Sequence, residues 1–218
     1  MQSQQQQISQ ELQDKIRTFT REDVLRKFQI LTQTDTVYVN LYFLAEISEY
    51  FYILLTGNYT EKSLEKVELD DVFTDDLVIF LSHVCAQNFE FERTINQQNI
   101  CSLVYFSDRL IVPSVKAEIK KYLSSDKFKD DQYEIELLIS LCYHLHSQGY
   151  QSTDIDQVFK KIARLSNTDL VDKAVDAVPD REIRITFKER IIHFRPYLYQ
   201  PRPQSFFDWN DTRARLFF

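Results

Sequence analysis

In Leu55-Thr56-Gly57-Asn58-Tyr59-Thr60-Glu61-Lys62-Ser63-Leu64-Glu65-Lys66-Val67-Glu68-Leu69-Asp70-Asp71-Val72 the hydrophobic pattern changes period. The run before it, Leu41–Leu55, is dense in Leu, Ile, Phe and Tyr, and Thr56-Gly57-Asn58 stops it. Gly57 suits the position just past a helix end, where the backbone turns left-handed. Residues 63–69 then read as a strand with Leu64, Val67 and Leu69 as its apolar members, and Asp70-Asp71 ends it. Thr74 is the expected cap of a following helix. Asp75 and Asp76 in its first turn complement the free N–H groups there. That helix buries Leu77, Phe80, Leu81, Val84 and Cys85.

Toward the N-terminus, Ser48 breaks the apolar run and is placed to cap a second helix, so residues 41–55 read as two short helices. Residues 24–31 and 36–40 read as two strands, with Gln33, Thr34 and Asp35 in the turn. Ile8, Leu12, Ile16 and Phe19 lie on one face of a further helix whose other face is polar. Such a stripe needs a cover, from its own domain or from a second subunit.

Toward the C-terminus, Asn96 is the expected cap of a helix that turns Ile100, Leu103, Val104 and Leu110 inward. Pro113 opens another helix running to about Leu123. The charged segment 124–131 reads as a linker. Three helices follow, at residues 132–147, 153–165 and 168–178, and Gly149 ends the first. From His193 the chain changes character, with eight aromatic residues and three of the five prolines. Those prolines oppose a helix.

Composition excludes much. There are only two glycines in 218 residues, which removes the dinucleotide fingerprint, the phosphate loop and the nucleophile elbow. Three well-separated cysteines read as free thiols in a reducing compartment. The polar, Gln-rich start has no signal-peptide pattern. No run is apolar enough for a membrane span. Net charge is −7, but residues 181–218 hold eight Lys and Arg against four acids, leaving −11 on residues 1–180. An acidic body disfavours nucleic acid. The basic tail has two places to go, its own acidic body or an acidic partner.

No catalytic, cofactor or metal site is expected. His144 and His146, two apart on a helix, point in different directions and cannot share a metal. His83, near the apolar stripe of its helix, reads as a satisfied core or boundary histidine rather than a base. Asp70-Asp71 and Asp75-Asp76 read as capping and solvation pairs. Cys101 has no histidine partner in any recognisable motif.

At this point residues and order together resemble a known family. Val37-Tyr38-Val39-Asn40 looks like a second strand, and Leu44-x-x-x-Ser48-x-x-Phe51 like the turn after it. Leu55-Thr56-Gly57-x-Tyr59-x-Glu61-Lys62 with Glu65-x-Val67-x-Leu69-x-Asp71-Val72 resembles an ungapped block of the BTB/POZ domain, most like its divergent nematode forms. Leu81-x-His83-Val84 and Phe106-Ser107-Asp108-Arg109-Leu110 resemble its later helices. The resemblance implies an α+β chain: a small β-sheet flanked by α-helical hairpins, then a mainly α-helical extension. It divides the chain into an N-terminal segment with an amphipathic helix (1–20), the BTB/POZ domain (21–127), a helical extension (128–180) and a basic aromatic tail (181–218).

Function is implied in the same terms. The resemblance implies a non-catalytic adaptor that joins proteins, in keeping with the absence of catalytic and cofactor motifs; without a signal peptide or membrane span, the chain is expected in the cytoplasm or nucleus. Homodimerisation would use Ile8, Leu12, Ile16, Phe19, Leu44 and Ile47. A cullin scaffold of a ubiquitin ligase would meet Phe89, Phe91, Ile95 and Gln97. Phe89 and Phe91 have a second reading, as ordinary core residues. Two departures stand out. The usual Ala-His-Lys after the second strand is Asn40-Leu41-Tyr42, and the cullin-binding hydrophobic-x-Glu is Ile95-Asn96-Gln97, which lacks the charge. An unidentified target protein would be held by Tyr197, Tyr199, Phe206, Phe207 and Trp209, unless the tail is a strap on the extension. The alternative function is a dimeric scaffold that never binds cullin.

Overall fold

The sheet forms where β-branched and aromatic residues alternate with polar ones. In the computed structural model, which describes residues 2–89, 91–165 and 167–195 (for 2–9 the backbone alone), β1 is Phe28–Leu31 and β2 is Thr36–Val39. They pair antiparallel with Phe28 opposite Val39, and Phe28, Ile30, Val37 and Val39 point inward. Strand β3, Lys66–Glu68, adds to β1 in parallel, giving the order β2-β1-β3.

Thirteen helices accompany the three strands among the described residues. Helix α1 (Gln2–Phe19) lies against α5 (Thr74–Val84) and β2. Helices α2 (Leu41–Ile47) and α3 (Glu49–Thr56) meet at Ser48, as the sequence predicts. Its hydroxyl accepts the Phe51 N–H at 3.2 Å and donates to the Leu110 carbonyl at 2.5 Å. Helices α4 (Thr60–Ser63) and α6 (Ala86–Phe89) are single turns. Helix α7 (Ile100–Arg109) packs on α5 and on α8 (Pro113–Leu123), where Pro113 takes the expected first position. The extension holds α9 (Asp126–Asp130), α10 (Ile135–Ser147), α11 (Ser152–Ala163), α12 (Thr168–Asp176) and α13 (Arg181–Phe194). One continuous apolar core runs from β1 through α5 and α7 into α10, α11 and α13. The chain is therefore α+β, a small sheet with helical hairpins and a helical extension.

Several expectations give way to local physics. Strand β1 begins at Phe28 rather than residue 24, because the Asp23 carboxylate accepts the N–H groups of Leu25 and Arg26 at 2.8 Å and makes a turn. Val24 and Leu25 are left 84% and 74% exposed. Leu64 is exposed too, since residues 60–63 coil into α4 and Glu65 takes a positive φ of 51°. Gly57 is extended (φ −77°), not left-handed. Its lack of a side chain serves close approach instead, because a Cβ would meet the Tyr59 ring and lie 2.9 Å from the Ile53 carbonyl oxygen.

Thr74 sits inside α5 and does not cap it. Its N–H donates to Thr34 Oγ1 at 3.3 Å, so the hairpin turn supplies the cap. Helix α7 starts three residues later than expected, after Asn99 rather than Asn96, because Asn96 and Asn99 tie residues 94–99 into a turn. The segment 124–131 is not a linker: Ser125 caps α9, and Phe128 is buried beneath it. Residues 181–194 are not a tail. Asp180 caps α13 by accepting the N–H groups of Glu182 and Ile183, and Phe187 and Ile191 are buried, with α13 against α11 and α12.

Candidate protein-interaction site

Four side chains from distant parts of the chain meet at one end of α1. Phe89 and Phe91 stack with ring centroids 5.4 Å apart. Phe19 meets the edge of Phe89 at 5.2 Å and lies 6.3 Å from Phe91. The Arg26 guanidinium covers the cluster at 5.0 Å from Phe89, held there by a 2.6 Å bond to Asp23. Phe19 is 1% exposed, whereas Phe89 and Phe91 are half-buried. Two sets of residues that the sequence assigns to separate surfaces, the dimer stripe and the cullin face, thus share one aromatic cluster.

Beyond this cluster the loop turns Gln97 and Gln98 outward. Ile95 is buried, and its carbonyl accepts from Lys127 Nζ at 3.3 Å. Asn99 Oδ1 accepts the Asn96 N–H at 2.9 Å, while its amide donates to the Thr94 carbonyl at 2.7 Å. Gln97 is exposed on this fixed turn. A cleft of about 460 Å³ separates the turn from Leu12 and Lys15 of α1 and from Ser82 and His83 of α5.

His83 is 3% exposed, and its Nε2 lies 2.9 Å from Glu118 Oε2, with Arg93 bound to the other oxygen at 2.5 Å. Burial holds the imidazole below its ordinary pKa, against the upward pull of Glu118. His83 is a buried histidine satisfied by a carboxylate partner.

The remaining dimer candidates divide. Leu12 and Ile16 are half-buried on α1, and α1 packs on its own domain in this single chain. Ile8 lies on α1 with its side chain outside the described residues. Leu44 is 2% exposed and committed to its own core, so it offers no surface, and Ile47 is half-buried against that core. The exposed apolar residues nearby are Val24, Leu25 and Tyr42, the last 71% exposed. Sequence reading missed them because it placed Val24 and Leu25 inside a strand; Asp23, ready to form a turn, was the signal. The five target candidates, Tyr197, Tyr199, Phe206, Phe207 and Trp209, lie outside the described residues.

Two motif pieces from the sequence are joined by an ion pair. Both Arg109 Nη atoms donate to the Asp71 carboxylate, each at 2.6 Å, and the guanidinium holds that carboxyl below its usual range. The thiols are set against chemistry. Burial pushes Cys85 up to about 12 and Cys101 up to about 11, and raises Cys142 as well. Among the described residues no group of three His, Cys, Asp or Glu side chains could hold a metal, and no helix is long and apolar enough to cross a membrane.

Residues 20–127 match the family model described as BTB/POZ domain. The chain carries a BTB/POZ domain, a fold whose general business is binding other proteins rather than catalysis. Among curated relatives, it is similar to "BTB and MATH domain-containing protein 36" of Caenorhabditis elegans, at 25% identity over 158 residues. That alignment covers 66% of this chain and 47% of the relative, so the chain spans about half the length of that protein.

Proposed function

We propose that this protein is a homodimeric adaptor of the cytoplasm or nucleus that brings a target protein to a cullin-type ubiquitin ligase scaffold. It does no chemistry itself; holding a target lysine near a charged ubiquitin carrier raises the effective concentration of the pair. The observation that carries this reading is the turn at residues 94–99. It anchors Ile95 and turns residue 97 outward, in the loop that follows the half-buried Phe89 and Phe91. Dimerisation is favoured by the exposed Val24, Leu25 and Tyr42 near α1 and α2, an apolar surface that a second copy would cover.

One observation favours a second reading, a dimeric scaffold without cullin. Residue 97 is Gln, which keeps the reach of Glu but loses its charge, and a charge-assisted hydrogen bond is about twice as strong as a neutral one. Size exclusion with light scattering on the whole protein, alone and with a cullin N-terminal domain, separates the readings. A dimer that takes up two cullin fragments supports the adaptor. A dimer that ignores cullin supports the scaffold, and a monomer that ignores it defeats both.

A further inference from the structure

A cavity of about 410 Å³ opens between α9 and α11, on the extension and away from the surfaces above. Its walls include Phe128, Tyr133 and Leu165. Its cations are Lys129, Lys160, Lys161 and Arg164, against the single carboxylate of Asp131, in a chain whose net charge is −7. These cations have unequal employment. Lys161 Nζ donates to the carbonyls of Phe128, Lys129 and Asp131 at 2.6, 2.9 and 2.6 Å, closing the end of α9. Lys129 pairs with Asp126 at 2.7 Å. Lys160 on α11 and Arg164 just past its end are exposed and form no ion pair among the described residues. An apolar pocket with two such cations at its rim suits a ligand that carries rings and acids together.

The chain contains such a segment. Phe206-Phe207-Asp208-Trp209-Asn210-Asp211 has three aromatic rings, two carboxylates and no cation. The described chain also ends beside the pocket, since Lys160 Nζ lies 5.7 Å over the ring of Phe194. From Arg195 to Phe206 an extended backbone reaches about 36 Å, more than enough to turn back to the rim. Tethering makes this segment the most concentrated ligand the pocket meets.

We propose that residues 206–211 dock in cis in this pocket, with the rings against Tyr133 and Leu165 and the carboxylates of Asp208 and Asp211 on Lys160 and Arg164. The tail is then a strap on the helical extension. While docked, its rings are withheld from any target.

Trp209 is the only tryptophan of the chain, so its fluorescence in the full-length protein reads the docking directly. The expected result is a blue-shifted emission, with acrylamide quenching several-fold weaker than for a free tryptophan amide and unchanged on dilution. Lys160→Glu with Arg164→Glu, on exposed sites and with circular dichroism unchanged, should shift the emission red and raise quenching several-fold. Asp208→Lys with Asp211→Lys should do the same in the native background and restore protection in the Lys160→Glu, Arg164→Glu background. Free quenching in the native chain overturns the proposal. So does protection that survives both charge reversals, and so does protection lost on dilution, which would mean docking between copies.

Discussion

Ile111 stands two residues past α7, as Gly149 stands two residues past α10. Both follow the helix end, both have positive φ (51° and 66°), and both lie within the same pair of closing hydrogen bonds. Ile111 N–H donates to the Asp108 carbonyl and Val112 N–H to Ser107; Gly149 N–H donates to His146 and Tyr150 N–H to Leu145. A β-branched residue there costs about 1–2 kcal/mol, while glycine loses about 0.5–1 kcal/mol more chain entropy on folding. Ile111→Gly should therefore raise stability, and Gly149→Ala should lower it by a similar amount, each on the order of 0.5–1 kcal/mol. Nothing lies within 4 Å of a Cβ at Gly149, so that loss would be conformational alone. Urea midpoints of the two variants, moving in opposite directions, would check this.

Ser48 holds the α2–α3 junction to the end of α7. Ser48→Ala removes the cap of α3 and leaves the Leu110 carbonyl without its hydroxyl donor in a site 3% exposed. A loss of about 1–3 kcal/mol is expected. Chemical denaturation measures it; a change below a few tenths of a kcal/mol would mean water replaces the hydroxyl.

The Phe19 and Phe89 rings are expected to be coupled. Phe19→Ala should cost about 3–5 kcal/mol, as for other buried phenylalanines. In a double-mutant cycle with Phe89→Ala the coupling should be about 0.5–1.5 kcal/mol. Hydrogen exchange along α1 should rise in both single variants, because this cluster fastens its last turn.

Stability should fall as the solution is acidified through the histidine range. His83 is held below its ordinary pKa in the fold, so the unfolded chain binds the proton first. The loss begins near the unfolded value of about 6.5 and continues down to the folded one, at no more than about 1.4 kcal/mol per pH unit for one proton. His144, also lowered by burial, adds in the same direction. His83→Gln, which preserves a donor to Glu118, should flatten this slope between pH 7 and 5 in urea titrations. An unchanged slope would assign the effect to other groups.

Gln97→Glu should create or tighten binding to a cullin N-terminal domain, read by light scattering or calorimetry, without altering the melting temperature of this exposed site. If neither form binds, the scaffold reading is the better one.

Much of the fold is legible because its signals are local. Ser48, Pro113 and the stop at Gly149 each act on the turn that contains them, and the block from Leu55 to Val72 carries its own pattern. What escapes is whatever depends on distant partners. Phe128 lies within eight polar or charged neighbours, yet α11 and the Tyr133 ring bury it. Residues 181–194 look like a basic tail until α11 offers Phe187 a place against Phe159, with centroids 5.2 Å apart. The site behaves likewise. Phe19, Phe89 and Phe91 are each recognisable, but some seventy positions separate the first from the others, and no periodicity shows that they touch.

The parallel pairing of β1 with β3 has a kinetic meaning. The β1–β2 hairpin closes over a few residues, whereas Gln29 meets Lys66 only after α2, α3 and α4 have been traversed. The chain can therefore nucleate the hairpin early and cheaply in entropy. The third strand must wait for a long loop to close. Completion of the sheet is thus tied to the prior collapse of the helices between its strands. Damage to Val67 should then appear chiefly as faster unfolding rather than slower folding.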